Sequence, residues 1–268
     1  MRKSALTSGE RLRREGQESP SGIANLIVIG ASAGGYRAVV KIIKDLSVDI
    51  PAAIVILLHM AVGSTISLKE YLARYSRLPI VDVGDQEALR QGAIFILPPG
   101  RSAALSSGMI TIGHEVSERP VSTINNLFAS AAQNYGERVI GVILTGLLRD
   151  GTDGLRVVHE MGGLTMVQDP KAAEYRDMPA NAMEDLEVTF CLDVEDIGPA
   201  LELLVRRTAR FETGLEMSIR TLRDRTALLV RLVEQSWRNP GTREFLSREL
   251  ASLRRDVQSI TDLLNASA

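Results

Sequence analysis

A serine, a histidine and an aspartate each follow a short apolar run in the sequence: they are Ser32, His59 and Asp150. Short runs of β-branched residues without polar interruption are typical of strands buried on both faces. Because the carboxyl ends of neighbouring parallel strands meet at one edge of a sheet, we expect the three side chains to converge there. A hydroxyl, an imidazole that takes its proton and a carboxylate that orients the imidazole form a catalytic triad, whatever their order along the chain. The residues therefore predict nucleophilic acyl transfer.

The turn that carries the serine has the sequence Gly-Ala-Ser-Ala-Gly-Gly over residues 30–35. Small residues allow a sharp strand-to-helix turn that exposes the hydroxyl, and N–H groups at the helix start can stabilise an oxyanion. One alternative is that Ser32 only caps the helix. Another is a dinucleotide-binding turn. That one is weaker, because Ser32 replaces the second glycine of the fingerprint and His59 stands where an acidic residue is expected.

Structural interpretations also remain for the other two candidates. A histidine beside an apolar run is often structural. Asp150 precedes a predicted helix, so the alternative is that it only caps that helix. The remaining histidines, His114 at the end of a predicted hairpin and His159 in the middle of a predicted helix, are expected to be structural. The placement of Ser32, His59 and Asp150 at the ends of three separate predicted strands favours the triad.

Apolar runs alternate with helical periodicity over residues 25–205. This alternation predicts an α/β fold with a doubly wound, mainly parallel sheet. The segment Ala103–Ile112 is interrupted by Ser106-Ser107-Gly108, which predicts a short hairpin. The predicted strands are Leu26–Ile29, Ala53–Leu58, Ala93–Leu97, Val139–Leu144 and Leu164–Val167, and the predicted helices are Tyr36–Leu46, Ile66–Tyr75 and one after Gly151.

The composition changes twice along the chain. Residues 1–24 are polar and rich in Ser and Gly, which predicts a disordered tail. Residues 206–268 predict an antiparallel helical hairpin that is added to the catalytic domain over 25–205. The break between the two helices is Asn239-Pro240-Gly241-Thr242. The positions with heptad spacing, all apolar except Thr226, are Leu215, Ile219, Leu222, Thr226, Leu229 and Val233 in one helix, and Leu246, Leu250, Leu253, Val257, Ile260 and Leu264 in the other.

Charge and composition exclude several classes of function. The net charge of −2 does not provide the basic face of a nucleic-acid-binding protein. The longest apolar stretch, Ala52–Leu58, is too short to insert across a membrane, and no secretory signal follows the first basic residues. The single cysteine, Cys191, excludes an internal disulfide framework, fits a reducing compartment and is expected to be a buried small hydrophobe. We expect a cytoplasmic protein.

With these residues in place, the chain resembles the catalytic domain of the chemotaxis protein-glutamate methylesterases, the CheB family. The resemblance covers about residues 25–205. The matching segments are Ile29–Gly35, Leu58-His59-Met60 with Gly63, Leu97-Pro98-Pro99-Gly100, Arg119-Pro120, Leu127-Phe128, Gly141–Gly146, Asp150-Gly151, Gly154, Gln168-Asp169-Pro170 and Met178-Pro179.

The resemblance implies hydrolysis of glutamate methyl esters on the cytoplasmic helices of chemoreceptors, often with deamidation of particular glutamines. It implies Ser32 as the nucleophile, His59 as the base and Asp150 as the orienting carboxylate, and it implies neither a metal nor an organic cofactor. The expected partners are methylated chemoreceptor helices and other proteins of the chemosensory pathway. The residues expected to line the oxyanion hole and the substrate cleft are Ala33, Gly34, Met60, Gly146 and Leu147.

The sequence also departs from the family pattern. Leu147 replaces a methionine, Leu148 replaces a glycine, and Asn125 stands in place of an acidic residue. Residues 1–24 are too few for the family's phospho-receiver domain, so we expect a stand-alone form without control by phosphorylation in cis. These departures keep a second hypothesis open, a catalytically weakened regulatory or docking module. The helical hairpin either packs on itself and the core, or recruits a second copy of the chain or a helical partner.

Overall fold

The computed structural model describes residues 23–60, 67–115, 123–206, 215–235 and 240–266. The predicted tail therefore lies almost entirely outside the described residues. So do three elements of the sequence pattern, Gly63, Arg119-Pro120 and Asn239.

Ten strands form two sheets in the described part of the chain. A seven-stranded sheet has the order β10-β9-β8-β1-β2-β5-β3, and every pair in it is parallel. A three-stranded antiparallel sheet has the order β4-β7-β6. In chain order the strands are β1 (Asn25–Ala31), β2 (Ala52–Leu58), β3 (Ile80–Asp82), β4 (Gln86–Ala88), β5 (Ala93–Ile96), β6 (Arg101–Ser106), β7 (Met109–Glu115), β8 (Val139–Ile143), β9 (Leu164–Gln168) and β10 (Phe190–Leu192).

Eight α-helices are described, together with a short 3-10 helix over Gly136–Arg138. They are α1 (Gly35–Ile43), α2 (Leu68–Ala73), α3 (Thr123–Tyr135), α4 (Thr152–Glu160), α5 (Asp177–Asp185), α6 (Val194–Val205), α7 (Leu215–Gln235) and α8 (Pro240–Ala266). None of the helices in the described ranges is long and apolar enough to cross a membrane.

The central strands are buried on both faces, as their unbroken apolar runs predict. Every residue of β1 and β2 is buried. Alternate side chains of a strand point to opposite faces, so Ile27 and Ile29 join one core with α1 and α6, whereas Leu26 and Val28 join the other with α3 and α4. The predicted doubly wound sheet is confirmed, and β1 lies between β2 and β8.

The predicted hairpin is also confirmed. Strands β6 and β7 pair in an antiparallel register, and the turn between them contains Ser107 and Gly108 with φ of 50° and 82°. Glycine enters this left-handed region without steric cost, and a short polar residue tolerates it. The sequence pattern does not predict β3, β4 or β10, each of which is only three residues long. Cys191, which the sequence predicts to be buried, lies half-buried in β10 and packs against the core that contains α3 and α4.

Helices α3 and α4 approach each other closely at Gly154. A Cβ atom at this position would lie 2.6 Å from the carbonyl oxygen of Asn125 and 2.8 Å from Cβ of Phe128. We expect Gly154→Ala to lower the free energy of unfolding by about 1–3 kcal/mol, because the backbone of α3 must shift to admit the methyl group. Chemical denaturation would measure the change. The matched control is Gly84→Ala, since a Cβ there meets nothing within 4 Å. Equal stability of the two variants would contradict the close contact.

Helices α7 and α8 pack against each other, and α7 also contacts α6. Their buried apolar side chains are continuous with the core that contains α1 and α6. The members of this seam are Leu228, Leu229, Leu232, Leu246 and Leu253. These side chains are thus buried by contacts within the chain itself. Helix α6 ends at Val205, but the division into domains at this point stays a prediction.

The buried seam predicts a structural cost for its disruption. Leu229 is 3% exposed, and we expect Leu229→Ala to lower the free energy of unfolding by about 2–5 kcal/mol through the cavity it leaves. Arg231 is exposed two residues further along the same helix, so Arg231→Ala serves as the control and should change stability by about 0.5 kcal/mol or less. Equal denaturation midpoints for both variants would show that the seam does not stabilise the fold.

Candidate active site

The ends of β1, β2 and β8 bring the candidate residues to one edge of the sheet. Ala31 is paired with Leu58, and the next residue, His59, donates its backbone N–H to the carbonyl of Ala31 at 2.9 Å. On the other side of β1, Ser32 donates its N–H to the carbonyl of Thr145 at 3.1 Å. Ser32 therefore leaves the central strand between the end that carries His59 and the end that leads to Asp150.

The imidazole and the carboxylate are in direct contact. Nε2 of His59 lies 3.1 Å from Oδ2 of Asp150, and the two side chains are 17% and 9% exposed. The hydroxyl of Thr123, a buried residue, lies 2.8 Å from the same nitrogen and 3.5 Å from the same carboxylate oxygen. A carboxylate that accepts a hydrogen bond from one ring nitrogen fixes the orientation and the tautomer of the imidazole, as a triad requires.

The carboxylate of Asp150 contacts His59 and also caps helix α3. Oδ2 accepts the N–H of Ile124 at 3.0 Å, and Oδ1 accepts the N–H of Asn125 at 3.1 Å. Burial alone raises the pKa of this group. The hydrogen bonds from His59 and from the two backbone N–H groups outweigh burial, so the pKa of Asp150 lies below its ordinary value. The carboxylate that contacts His59 therefore also caps a helix, and this helix is α3, not the helix that follows Asp150.

Asn125 completes a reciprocal arrangement between α3 and α4. Its side-chain oxygen accepts the N–H of Gly151 at 3.0 Å and the N–H of Gly154 at 2.8 Å, at the start of α4. Each helix start is thus capped by a side chain that stands at the start of the other. The arrangement fixes the backbone on both sides of Asp150.

Helix α3 and its residue Thr123 are absent from the sequence prediction. A signal for them exists, because Ile124, Leu127, Phe128 and Ala131 have the spacing of a helical apolar stripe, and all four are buried. A threonine directly before such a stripe is typical of a helix start. The contact of Thr123 with His59 is a property of the tertiary structure that this signal does not contain.

The turn after β1 is held from the neighbouring loops. Gly34, at φ 74°, is the N-cap of α1, so Ser32 is not the helix cap of the alternative interpretation. The hydroxyl of Thr145 lies 3.0 Å from the carbonyl oxygen of Ala33 and accepts the N–H of Tyr175 at 2.8 Å. Thr145 thereby connects the serine turn with the loop before α5.

The residues predicted for the oxyanion hole and the substrate cleft differ in whether their backbone N–H groups are already hydrogen-bonded. The N–H of Gly146 is engaged by the carbonyl of Tyr175 at 3.0 Å, and a Cβ on Gly146 would lie 2.8 Å from Cβ of Ser32. Gly146 thus permits a close approach instead of supplying a free donor. The N–H groups of Ala33 and Leu147 have no partner within the described ranges. Met60 follows His59 and packs, partly buried, against the core that contains α1 and α6.

His159 departs from its expected position. It lies exposed in the last turn of α4, not in the middle of the helix.

Fold and site together define a class: an α/β protein with a serine and a carboxylate-paired histidine at the carboxyl edge of a parallel sheet. The family model of the CheB methylesterases matches residues 27–201. The chain belongs to the CheB methylesterase family.

Named relatives support the same assignment. A protein-glutamate methylesterase/protein-glutamine glutaminase of Anaeromyxobacter dehalogenans is 38% identical over 202 residues, which are 74% of this chain and 58% of the relative. A protein of Leptospira interrogans with a corresponding name is 35% identical over 184 residues, 67% of this chain and 93% of its own length. The crystal structure of the CheB methylesterase catalytic domain of Thermotoga maritima covers 68% of this chain with a TM-score of 0.61 and 29% identity.

The alignments differ in extent. The chain spans a little over half the length of the first curated relatives that it matches, 58% and 57%.

Proposed function

We propose that this chain hydrolyses methyl esters of glutamate side chains in chemoreceptors. The observation that carries the proposal is the His59–Asp150 contact of 3.1 Å at the end of the strand that pairs with the serine-bearing strand β1. The names of the relatives, protein-glutamate methylesterase/protein-glutamine glutaminase, support a glutamate methyl ester as the substrate and a glutamine side chain as a second one.

The chemistry follows from the site. Asp150 accepts the N–H of His59, and the second ring nitrogen takes the proton of the Ser32 hydroxyl as the oxygen attacks the ester carbonyl. The negative charge that develops on the carbonyl oxygen is stabilised by the backbone N–H groups of Ala33 and Leu147. His59 then gives the proton to the departing methanol, and water hydrolyses the acyl-enzyme by the same route in reverse.

The same steps apply to a glutamine side chain. Attack on its amide carbonyl releases ammonia in place of methanol and leaves the same acyl-enzyme. The proposed partners are the methylated helices of chemoreceptors, which the family resemblance places in the cytoplasm, and through them other proteins of the chemosensory pathway. Recruitment of a second copy by α7 and α8 is a further proposal, which sedimentation of the purified chain tests.

Release of methanol from methylated chemoreceptor tests the function. The full chain should release methanol from methylated receptor, whereas Ser32→Ala should not. Unmethylated receptor is the control for background. Equal release by the wild type and Ser32→Ala would refute the triad. Receptor binding without methanol release by the wild type would support the docking module, which the family relatives do not favour.

A further inference from the structure

Leu148 has a backbone conformation that leucine disfavours. Its φ is 67°, and in the described ranges only Ser107 shares a positive φ without being a glycine. The left-handed region brings Cβ close to the following carbonyl oxygen, so residues other than glycine, asparagine and aspartate rarely adopt it. Ser107 lies in a hairpin turn, where such a residue is common. Leu148 lies two residues before Asp150, in the loop that follows β8.

The surrounding residues impose this conformation. At the start of the loop, Gly146 donates to the carbonyl of Tyr175 and accepts the N–H of Met178, both at 3.0 Å. The carbonyl of Leu148 itself accepts the side-chain N–H of Asn181 at 2.7 Å. At the end of the loop, Asp150 is fixed by the start of α3. A glycine at this position would adopt the same bend without steric cost.

The side chain of Leu148 is not buried in the core of the chain. It is 76% exposed, more than any other large apolar side chain that is described. Leu147 is 49% exposed beside it, and Tyr175, on the loop that Thr145 connects to the serine turn, is 38% exposed. We call these three residues the apolar rim. A strained backbone and an exposed leucine at one position, next to a candidate active site, point to a contact made only with a bound molecule.

We propose that Leu148 is a specificity-determining residue, which contacts apolar side chains of the protein substrate beside the glutamate whose ester is hydrolysed. This inference rests on the proposed function. On a helical substrate the residues three and four positions from the glutamate lie on the same face as the glutamate, and these are the residues that the apolar rim would contact. An amphipathic helix that offers apolar residues there would cover Leu148 and recover the free energy of its burial. A small ester carries only the reacting group and has no such residues.

The test compares two substrates with the whole chain of 268 residues. For Leu148→Gly and Leu148→Asn, kcat/KM is measured with methylated chemoreceptor and with a small activated ester. Both replacements are compatible with the left-handed conformation, and both remove the apolar side chain. We expect the ratio of receptor to small-ester kcat/KM to fall about tenfold in each, mainly through KM for the receptor. The melting temperature of Leu148→Gly should equal or exceed that of the wild type.

The matched control is Val48→Asn, which removes another exposed apolar side chain. Val48 is 66% exposed and precedes β2, at the opposite edge of the sheet from His59, so its ratio should equal that of the wild type.

An unchanged ratio in both Leu148 variants, with a wild type that is active on receptor, would overturn this inference and leave the proposed function intact. An equal fall with both substrates would also overturn it, because Leu148 would then support the catalytic geometry. A wild type that hydrolyses the small ester but releases no methanol from methylated receptor would refute the proposed function, and this inference with it.

Discussion

Replacement of His59 by alanine is expected to lower kcat/KM for ester hydrolysis by a factor on the order of 10⁴ or more. Without the imidazole, nothing removes the proton of the Ser32 hydroxyl as it attacks, and nothing protonates the departing methanol. Ser32→Ala should have an effect of similar size, because the nucleophile itself is lost. The fold should remain, since Asp150 keeps its hydrogen bonds to the backbone N–H groups of Ile124 and Asn125.

Single-turnover and steady-state assays with a small ester would measure the loss, and circular dichroism would check the fold. The double variant should be no slower than the slower single variant, because residues that act as a unit are not additive. His159→Ala is the control, since His159 is exposed in the last turn of α4. Losses that multiply in the double variant, or a loss in His159→Ala equal to that in His59→Ala, would contradict the assignment.

Replacement of Asp150 by asparagine is expected to affect both activity and stability. An amide does not stabilise the imidazolium and no longer selects the required tautomer of His59, so kcat should fall by a factor on the order of 10⁴. An asparagine has only one acceptor oxygen, whereas Asp150 accepts N–H groups of α3 with both oxygens. The loss of one cap and of the negative charge at the helix start should lower the free energy of unfolding by about 1–2 kcal/mol.

The stability effect should depend on pH. The pKa of Asp150 in the folded state lies below the ordinary value of 3.8, so its stabilisation is fully present above that pH and is lost as the pH falls through the lowered pKa. The difference in unfolding free energy between the wild type and Asp150→Asn should therefore shrink as the pH falls below about 4. Denaturant titrations over this range measure it. Asp153→Asn is the matched control, because Asp153 is 61% exposed and pairs with Arg156. A difference that grows on acidification would refute the cap.

The sequence by itself was sufficient for the elements that depend on local pattern. The buried strands β1, β2 and β8 contain the apolar runs Leu26–Ile29, Ala52–Leu58 and Val139–Ile143, because a strand covered on both faces favours apolar side chains along its length. The hairpin of β6 and β7 and the start of α8 at Pro240 follow from turn and helix-start residues in the same way. Strand ends in a parallel sheet share one edge, and from this rule the sequence predicts that Ser32, His59 and Asp150 are neighbours; the structure shows the contact between His59 and Asp150.

Only the tertiary structure decided which groups surround Asp150. Thr123 and the start of α3 are more than twenty residues away along the chain, and they reach the carboxylate because α3 packs across α4 at Gly154. Likewise, the sequence showed a leucine at position 148, whereas its left-handed backbone and its exposure result from hydrogen bonds with the loop and helix that follow β9. Patterns of residue type determine which segments are buried. Contacts between segments that are distant in sequence, however, lower the pKa of Asp150 and hold the backbone of Leu148 at a positive φ.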